Sequence, residues 1–354
     1  MPLSLLFVTV RTTTTLKNWQ RTESMDFIRL DRKLSKILHR KHKNSKVSFY
    51  LKGISRMFLP SLIHRGKLEQ ILDSVTDFDS KEIEERVNYC NKQDDPFQLG
   101  GDAVRFADLT TQSDSAYYFD LQESIRYFAP QLRFHCQFGD VIEVPRRPAF
   151  VKSRPIGGGN SNSILLKLNK VRHFTFVSDE IEFKDKLDMM VWRGKAIRNH
   201  RIRFMQQYHK HPLLNIGQSN PVEEGGDPSR QKRFMPIEEQ LRYKFIFSIE
   251  GNDVGTNLKW IMSSNSLCLM KKPLYETWFM EGRLIPDKHY VLLKDDYSDL
   301  EEKINYYRNN QDAALEIIGC ANQYVKQFQN REKERLVSLL VLNKYFEKSG
   351  QLTP

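Results

Sequence analysis

Along residues 243–270, YKFIFSIEGNDVGTNLKWIMSSNSLCLM, the rhythm of apolar and polar positions changes three times. Residues 243–249 are an unbroken apolar and aromatic run, the composition of a buried strand. Glu250, Gly251, Asn252 and Asp253 interrupt it with turn residues. Val254, Leu258, Ile261 and Met262 then recur at helical spacing, and residues 266–270 are apolar again. The pattern predicts strand, tight loop, helix and strand, a βαβ unit. In such units ligands sit beyond the carboxyl end of the strand, where free backbone N–H groups and the helix dipole favour an anion. Glu250 and Asp253 cannot serve an anion directly, but as acceptors they suit sugar hydroxyls.

A similar unit precedes it. Residues 187–192 read as a strand, Arg193-Gly194-Lys195 as its exit loop and residues 199–209 as a helix, with Arg198, Arg201 and Arg203 at or near its start. Arginine matches phosphate through a planar, bidentate fork. Residues 217–230, with Gly225, Gly226, Asp227 and Pro228, have the composition of a mobile loop that either closes over a substrate or decorates the surface. Upstream, residues 117–128 read as an aromatic helix and residues 132–144 as a strand region ending at Phe138-Gly139-Asp140. Asp140, a carboxylate on a loop at a strand end, is a candidate general base. Residues 148–151 read as a strand, and Lys152, Ser153 and Arg154 as a loop able to contact phosphate or an anionic acceptor. Residues 164–171 are a helix or a buried strand, and 175–177 a strand. Downstream come a strand at 290–293, a helix reaching Arg308 and a long helical region at 311–346, broken near 329–333. Asp295, Asp296 and Asp299 read as helix capping in preference to a metal site, because no histidine, cysteine or further carboxylate cluster joins them.

The N-terminal part is basic. Phe27, Leu30, Leu34, Ile37 and Leu38 recur at helical spacing among Arg32, Lys33, Lys36, Arg40, Lys41, Lys43 and Lys46, and a second apolar set from Val47 to Phe58 stops at Pro60. These are two ordinary helices, or a basic and apolar surface for an anionic membrane. The apolar run at 3–10 is too short to span a bilayer, residues 11–24 read as a loose extension, and Met25 is an alternative start.

Composition narrows the field. A chain of 354 residues with 40% hydrophobic content builds sizeable cores, ordinarily in two domains. The formal charge of +11 calls for an anionic partner, with nucleic acid, anionic lipid and phosphorylated glycan all open. No nucleic-acid-binding motif accompanies it. The four cysteines are too dispersed for a disulfide framework or paired zinc ligands.

Several segments together resemble glycosyltransferase family 90, which includes fungal capsule-associated proteins, animal protein O-glucosyltransferases and bacterial lipopolysaccharide core transferases, the last branch being the most similar. They are FGDVIEVP (138–145), KSRPI (152–156), NSILLKLNKVRHF (162–174), WRG with a following Arg (192–201), EGND and NLKW (250–260) and IPDKHYVLL (285–293). The resemblance implies an α/β protein with two Rossmann-like domains facing a cleft, the GT-B arrangement, plus a helical basic N-terminal segment. The implied limits are an extension at 1–24, an acceptor-side domain at 25–182, a nucleotide-sugar domain at 183–334 and a helix at 335–354 packing back on the first. The implied activity is inverting, metal-independent transfer of glucose or galactose from a UDP-sugar to a sugar of the lipopolysaccharide core. No cofactor is implied. Asp140 falls in the family's catalytic segment, with Glu143 the next carboxylate. Arg193, Gly194, Lys195 and Arg201 fall on the donor site, as do Glu250, Gly251, Asn252, Asp253, Asn257 and Lys259. Asn257 stands where animal members carry Arg, so Lys259, Arg201 or Arg154 would neutralise the diphosphate. The implied acceptor is a lipid-linked oligosaccharide at an anionic membrane surface, on the cytoplasmic face of the inner membrane. A capsule-glycan or protein acceptor, or a non-catalytic basic module binding lipid or nucleic acid, is the alternative.

Overall fold

The computed structural model describes residues 42, 44–58, 62–109 and 115–353. The predicted helix at 27–38 and the extension before it lie outside these residues. Among the described residues, eleven strands and a set of helices make a mixed α/β structure with two largely parallel sheets. The longer helices are α1 (Lys46–Phe58), α2 (Ser80–Cys90), α3 (Ser115–Ile125), α4 (Asn199–Tyr208), α5 (Leu258–Met262), α6 (Leu300–Asn309), α7 (Gln311–Lys326) and α8 (Arg331–Lys348).

The first sheet has the order β1-β2-β3-β5, from β1 (Val104–Arg105), β2 (Arg133–Gln137), β3 (Ala149–Val151) and β5 (Ser163–Leu165). Only the edge strand β1 runs antiparallel. The second sheet is parallel throughout, built from β6 (Leu187–Gly194), β7 (Leu214–Gln218), β8 (Tyr243–Phe247), β9 (Leu267–Met270) and β11 (Val291–Leu292). Its spatial order is β11-β9-β8-β6-β7. β8 and β9 are buried at every position, as continuous apolar strands in a parallel sheet covered on both faces should be. Between the sheets, β4 (Ser153–Pro155) pairs antiparallel with β10 (Tyr275–Thr277).

Two hydrophobic clusters fill the molecule. One gathers Met190, Phe204, Phe245, Phe247 and Ile317 around the second sheet. The other joins Phe134 and Phe150 of the first sheet to Ile261, Trp278 and the apolar side of α8. The Tyr345 hydroxyl accepts from His135 N at 3.1 Å and donates to the Pro148 carbonyl at 3.0 Å, tying α8 to the first sheet. All four cysteines are free thiols.

Four features depart from the sequence reading. Residues 153–154 are not loop: they form β4, because the chain changes sheets at Lys152. Residues 175–177 form no strand, and Val177 N donates to Ser263 Oγ at 2.9 Å instead. Residues 214–218 are a strand that composition hid, since Asn215 and Gly217 interrupt the apolar run. The loop after it is tied at its base, where Lys232 N donates to the Gln218 carbonyl at 3.1 Å. Finally, the predicted helix at 254–264 is only the five residues of α5.

Candidate active site

In the second sheet the chain steps from β6 outward to β7, then returns across β6 to β8. Connections on either side of that reversal leave in opposite directions and open a crevice at the carboxyl ends of the strands, where ligands of open α/β sheets bind. The loops at that point are residues 195–198 and 248–257. Arg201, in the first turn of α4, spans both. Its Nε donates to the Glu250 carbonyl at 2.7 Å, Nη2 to Ile249 at 2.8 Å and Nη1 to Lys195 at 3.0 Å, with the guanidinium 5.7 Å from the Trp192 ring centroid. His200 Nε2 donates to the Glu250 carbonyl at 2.8 Å. Burial, together with neighbouring Arg172 and Arg198, lowers the Arg201 pKa to about 10. Arg198 precedes α4 without a side-chain cap, which leaves the first N–H groups of a ten-residue helix open, and Arg172 and Arg198 are near enough to Arg201 to act on its charge.

The opposing group comes from the first sheet. Gly139, at φ 105°, turns the chain just after β2 in a conformation that disfavours any residue with a Cβ. Asp140 follows, about one-third exposed. Its carboxylate meets Lys152 Nζ, and Lys152 also lies 2.7 Å from Asp253 in the loop after β8. Asn252 Nδ2 donates to the Asp140 carbonyl at 2.9 Å. Lys152 is almost completely buried. Burial opposes its charge, but Asp253, Tyr117 and Asp140 outweigh that and hold the ammonium above its usual range. A lysine between two carboxylates from different sheets thus fixes the spacing of the two loops. Glu143, three residues after Asp140, is solvent-exposed and is not among the partners of Lys152.

Two cavities flank the loop at 248–257. One, about 290 Å³, is bordered by Glu250, Gly251, Asn252, His200 and Tyr297. Glu250 Oε1 there accepts from Leu274 N at 2.9 Å, and burial pushes the carboxyl up to about 7. The other, about 440 Å³, lies toward the first sheet and is bordered by Asn169, Arg172, Arg193, Asn257 and Trp260. Asn257 uses its amide within its own loop, donating to the Phe247 carbonyl at 2.9 Å and accepting from Ser248 Oγ at 3.2 Å.

The remaining expected contacts fall elsewhere. Arg193 and Gly194 are the last residues of β6 rather than an exit loop. Arg193 donates to the Asn215 carbonyl at 2.6 Å, and burial lowers its pKa to about 10. A Cβ at Gly194 would approach the Trp192 side chain to 2.6 Å, which accounts for the glycine. Lys195 points outward and pairs with Glu224 at 2.6 Å. Lys259 is fully buried in an ion pair with Glu281, between the Phe174 and Phe279 rings, so it offers no charge to a donor. Arg154 is likewise sealed: Nε donates to Glu276 at 2.7 Å and Nη2 to the Tyr89 carbonyl at 2.6 Å. Ser153 donates to the Val141 carbonyl at 3.0 Å. Asp296 and Asp299 accept from Ser298 N and Lys294 N, each at 3.0 Å, so they secure the turn before α6 and do not cap the helix itself. Arg172 was missed as a site residue. Its signal was its place beside His173 within the segment resembling the family, but only the tertiary fold brings it to Arg201.

A parallel sheet with a switch-point crevice, its loop tied to a carboxylate from a second sheet, has the layout of a ligand-binding α/β protein. Residues 167–346 match the model of Glycosyl transferase family 90, and the chain belongs to that family. It is 49% identical over 264 residues to O-glucosyltransferase LpsA of Dichelobacter nodosus, covering 75% of this chain and 82% of that protein. Similarity to human Protein O-glucosyltransferase 3 is 26% over 170 residues, and to the mouse protein of the same name 24% over 245 residues. Those matches cover 33% and 48% of the animal proteins. The protein is therefore a glycosyltransferase.

Proposed function

We propose that the protein is an inverting hexosyltransferase that moves glucose or galactose from a UDP-sugar to a sugar of the lipopolysaccharide core. In this reading residues 25–182 form the acceptor side and residues 183–334 the donor side of a GT-B cleft, with residues 335–354 packing back on the first. Asp140 takes the proton from the acceptor hydroxyl as that oxygen bonds to the anomeric carbon from the face opposite the donor phosphate. The bond to the diphosphate breaks, and its electron pair leaves with UDP. Arg172, Arg198, Arg201 and the start of α4 hold the growing negative charge without a metal. Glu250 and Asn252, which border the 290 Å³ cavity, meet donor hydroxyls in this reading. Lys152 is a positioning residue that keeps Asp140 oriented.

The observation that carries the reading is the Asp140–Lys152–Asp253 contact, which sets a carboxylate of one sheet against the ligand-facing loop of the other. The relative named O-glucosyltransferase LpsA supports the lipopolysaccharide acceptor and glucose as donor sugar. The names of the animal relatives favour a protein acceptor as the second reading. The acceptor is lipid-linked and the enzyme peripheral on the inner membrane. The charge of +11 supports this, and among the described residues no helix is long and apolar enough to cross a membrane.

The test is transfer from UDP-glucose and UDP-galactose to truncated core oligosaccharides, with and without excess chelator. Asp140→Asn is expected to lower turnover by about 10²–10⁴-fold while donor binding and thermal stability stay near wild type. Near-normal turnover in that variant would remove Asp140 from the base role. Loss of activity in chelator, restored by manganese, would overturn the metal-free mechanism.

A further inference from the structure

Tyr297 stands between β11 and α6 at φ 61°, a left-handed conformation that a bulky side chain rarely adopts. Such backbone persists only where its surroundings over-determine it, and it concentrates at ligand sites. The surroundings here do so. Tyr297 N donates to the Lys294 carbonyl at 3.0 Å, and the Tyr297 carbonyl accepts from the Tyr208 hydroxyl at 2.8 Å and from Leu300 N at 3.0 Å. Its ring meets Phe204 and Phe247 edge-on, with centroids 5.1 and 5.6 Å apart. The residue is 5% exposed, yet its hydroxyl has no hydrogen-bond partner among the described residues. Burial, with Glu250 and Asp295, holds the phenol above its ordinary range, so it keeps its proton. A rigidly held, buried O–H group left unbonded is costly and calls for a partner.

Tyr297 borders the 290 Å³ cavity together with Glu250, Asn252 and His200. That volume is at the lower end of small-molecule pockets, about 300–1,000 Å³, and leaves room for a single ring. The neighbours say which ring. Asn252 donates to the Asp140 carbonyl at 2.9 Å, so the cavity adjoins the segment of the proposed base. Arg201 and Tyr297 are near enough to act on each other's charge, so it also adjoins the proposed leaving-group cation. In a displacement at the anomeric carbon, the ring with those two neighbours is the sugar being transferred. Val254, Leu258 and Met270 on the same border suit the C–H faces of a pyranose. Of the two carboxylates there, Glu281 is taken up by Lys259 and by Thr277, whose N and Oγ1 both donate to it. Glu250 accepts from Leu274 N through Oε1 and keeps further acceptor sites. A phenol O–H and a carboxyl group offer the donor and the acceptor that a sugar hydroxyl requires.

We infer that Tyr297 is a specificity-determining residue of the donor-sugar pocket: its hydroxyl, beside the Glu250 carboxyl, hydrogen-bonds a ring hydroxyl of the hexose carried by the nucleotide donor. This rests on the UDP-hexose reading and deepens it, because it names the group that selects among hexoses.

The experiment is calorimetric binding, without acceptor, to full-length wild type and Tyr297→Phe. The ligands are UDP, UDP-glucose, UDP-galactose and analogues of the tighter-binding hexose donor that each lack one ring hydroxyl. Wild type is expected to lose about tenfold or more in affinity for one of these analogues. Tyr297→Phe should bind that analogue and the parent sugar alike, discriminate less between the two hexoses and bind UDP as wild type does. Without ligand it should melt no lower than wild type, since no internal hydrogen bond is removed. A Phe variant that keeps the wild-type pattern across the analogues would overturn the inference. So would a variant that loses affinity for UDP as much as for the hexose donor, a result that places the nucleoside in the cavity. If the variant does not fold, the wild-type profile decides, and equal affinity for every analogue overturns the inference. A wild-type enzyme that shows the expected profile yet transfers hexose to no core oligosaccharide would refute the proposed acceptor and leave Tyr297 in its role.

Discussion

Two clusters of charge in this protein use the same residue types to opposite ends. Around Glu334, Arg86 Nη2 and Lys167 Nζ each approach to 2.6 Å and Trp278 Nε1 donates at 2.8 Å, in a site closed to solvent around Arg86 and Trp278. Around Lys152, one carboxylate is buried, but Asp140 keeps about one-third of its side chain exposed. Every polar atom of the Glu334 carboxylate is used inside the fold. Asp140 retains part of its carboxylate open to solvent. A buried pair whose partners are all satisfied registers elements against each other and has nothing left for a ligand. A pair with one member at the surface can exchange a proton with a substrate. Arg154 and Lys152, two residues apart, fall on the two sides of this division.

Glu334→Gln attacks the closed cluster and should have the largest thermodynamic effect. It leaves Arg86 and Lys167 without a counter-charge, at a cost of about 3–5 kcal/mol, read as a lowered midpoint in urea. Turnover per folded molecule should be kept. A stable variant with lost turnover would reverse the assignment of the two clusters. Burial raises the Glu334 pKa, but Lys167 and Arg86 outweigh it and the net shift is downward. Its stabilisation is therefore full above the ordinary carboxylate range and lost as pH falls through the depressed value.

Arg201→Ala sharpens the comparison, because Arg201 binds the backbone carbonyls of both loops and is also the cation proposed to hold the leaving group. Turnover should fall about a hundredfold, with partial recovery in Arg201→Lys, which lacks the planar fork. Circular dichroism checks the fold. A loss confined to stability, with turnover intact, would place Arg201 with the structural cations.

The smallest effect is expected at Glu250. Its carboxyl is raised to about 7 by burial, so ionisation opposes folding. The folded form is favoured below the ordinary carboxylate pKa and loses that advantage as pH rises through about 7. Glu250→Gln should thus melt at a higher temperature than wild type at pH 8, with little difference at pH 5. An equal difference at both pH values would show that Glu250 does not titrate in the cavity.

How much of this was legible in the chain varies by element. The strands β6, β8 and β9 announce themselves as apolar runs, because strands buried on both faces have no polar side. The break in the helical region at 329–333 is the gap between α7 and α8, where Asn330 caps α8 by accepting from Glu332 N and Lys333 N. Asp140 and the EGND loop stand out as polar residues at strand ends. β7 did not stand out, since its strand character comes from pairing with β6 rather than from its own side chains. Lys259 and Arg154 looked like donor-facing cations because a sequence shows charge without showing the partner. Glu281 and Glu276, which neutralise them, are 22 and 122 residues away.

The sequence by itself determined the local conformations and the inventory of groups: apolar runs that must be buried, glycines and asparagines that must turn, and an excess of cations that must meet an anion. These follow from side-chain chemistry and spacing within a few residues. Only the tertiary structure decided which charges remain available. The sheet change at Lys152 sends it toward Asp140 and Asp253 while Arg154 turns to Glu276, and the packing of the chain brings Arg172 near enough to Arg201 to act on its charge. Pairing across more than a hundred residues depends on how sheets pack, and a charge that is neutralised in the interior has the same letter in the sequence as one that waits in the cleft.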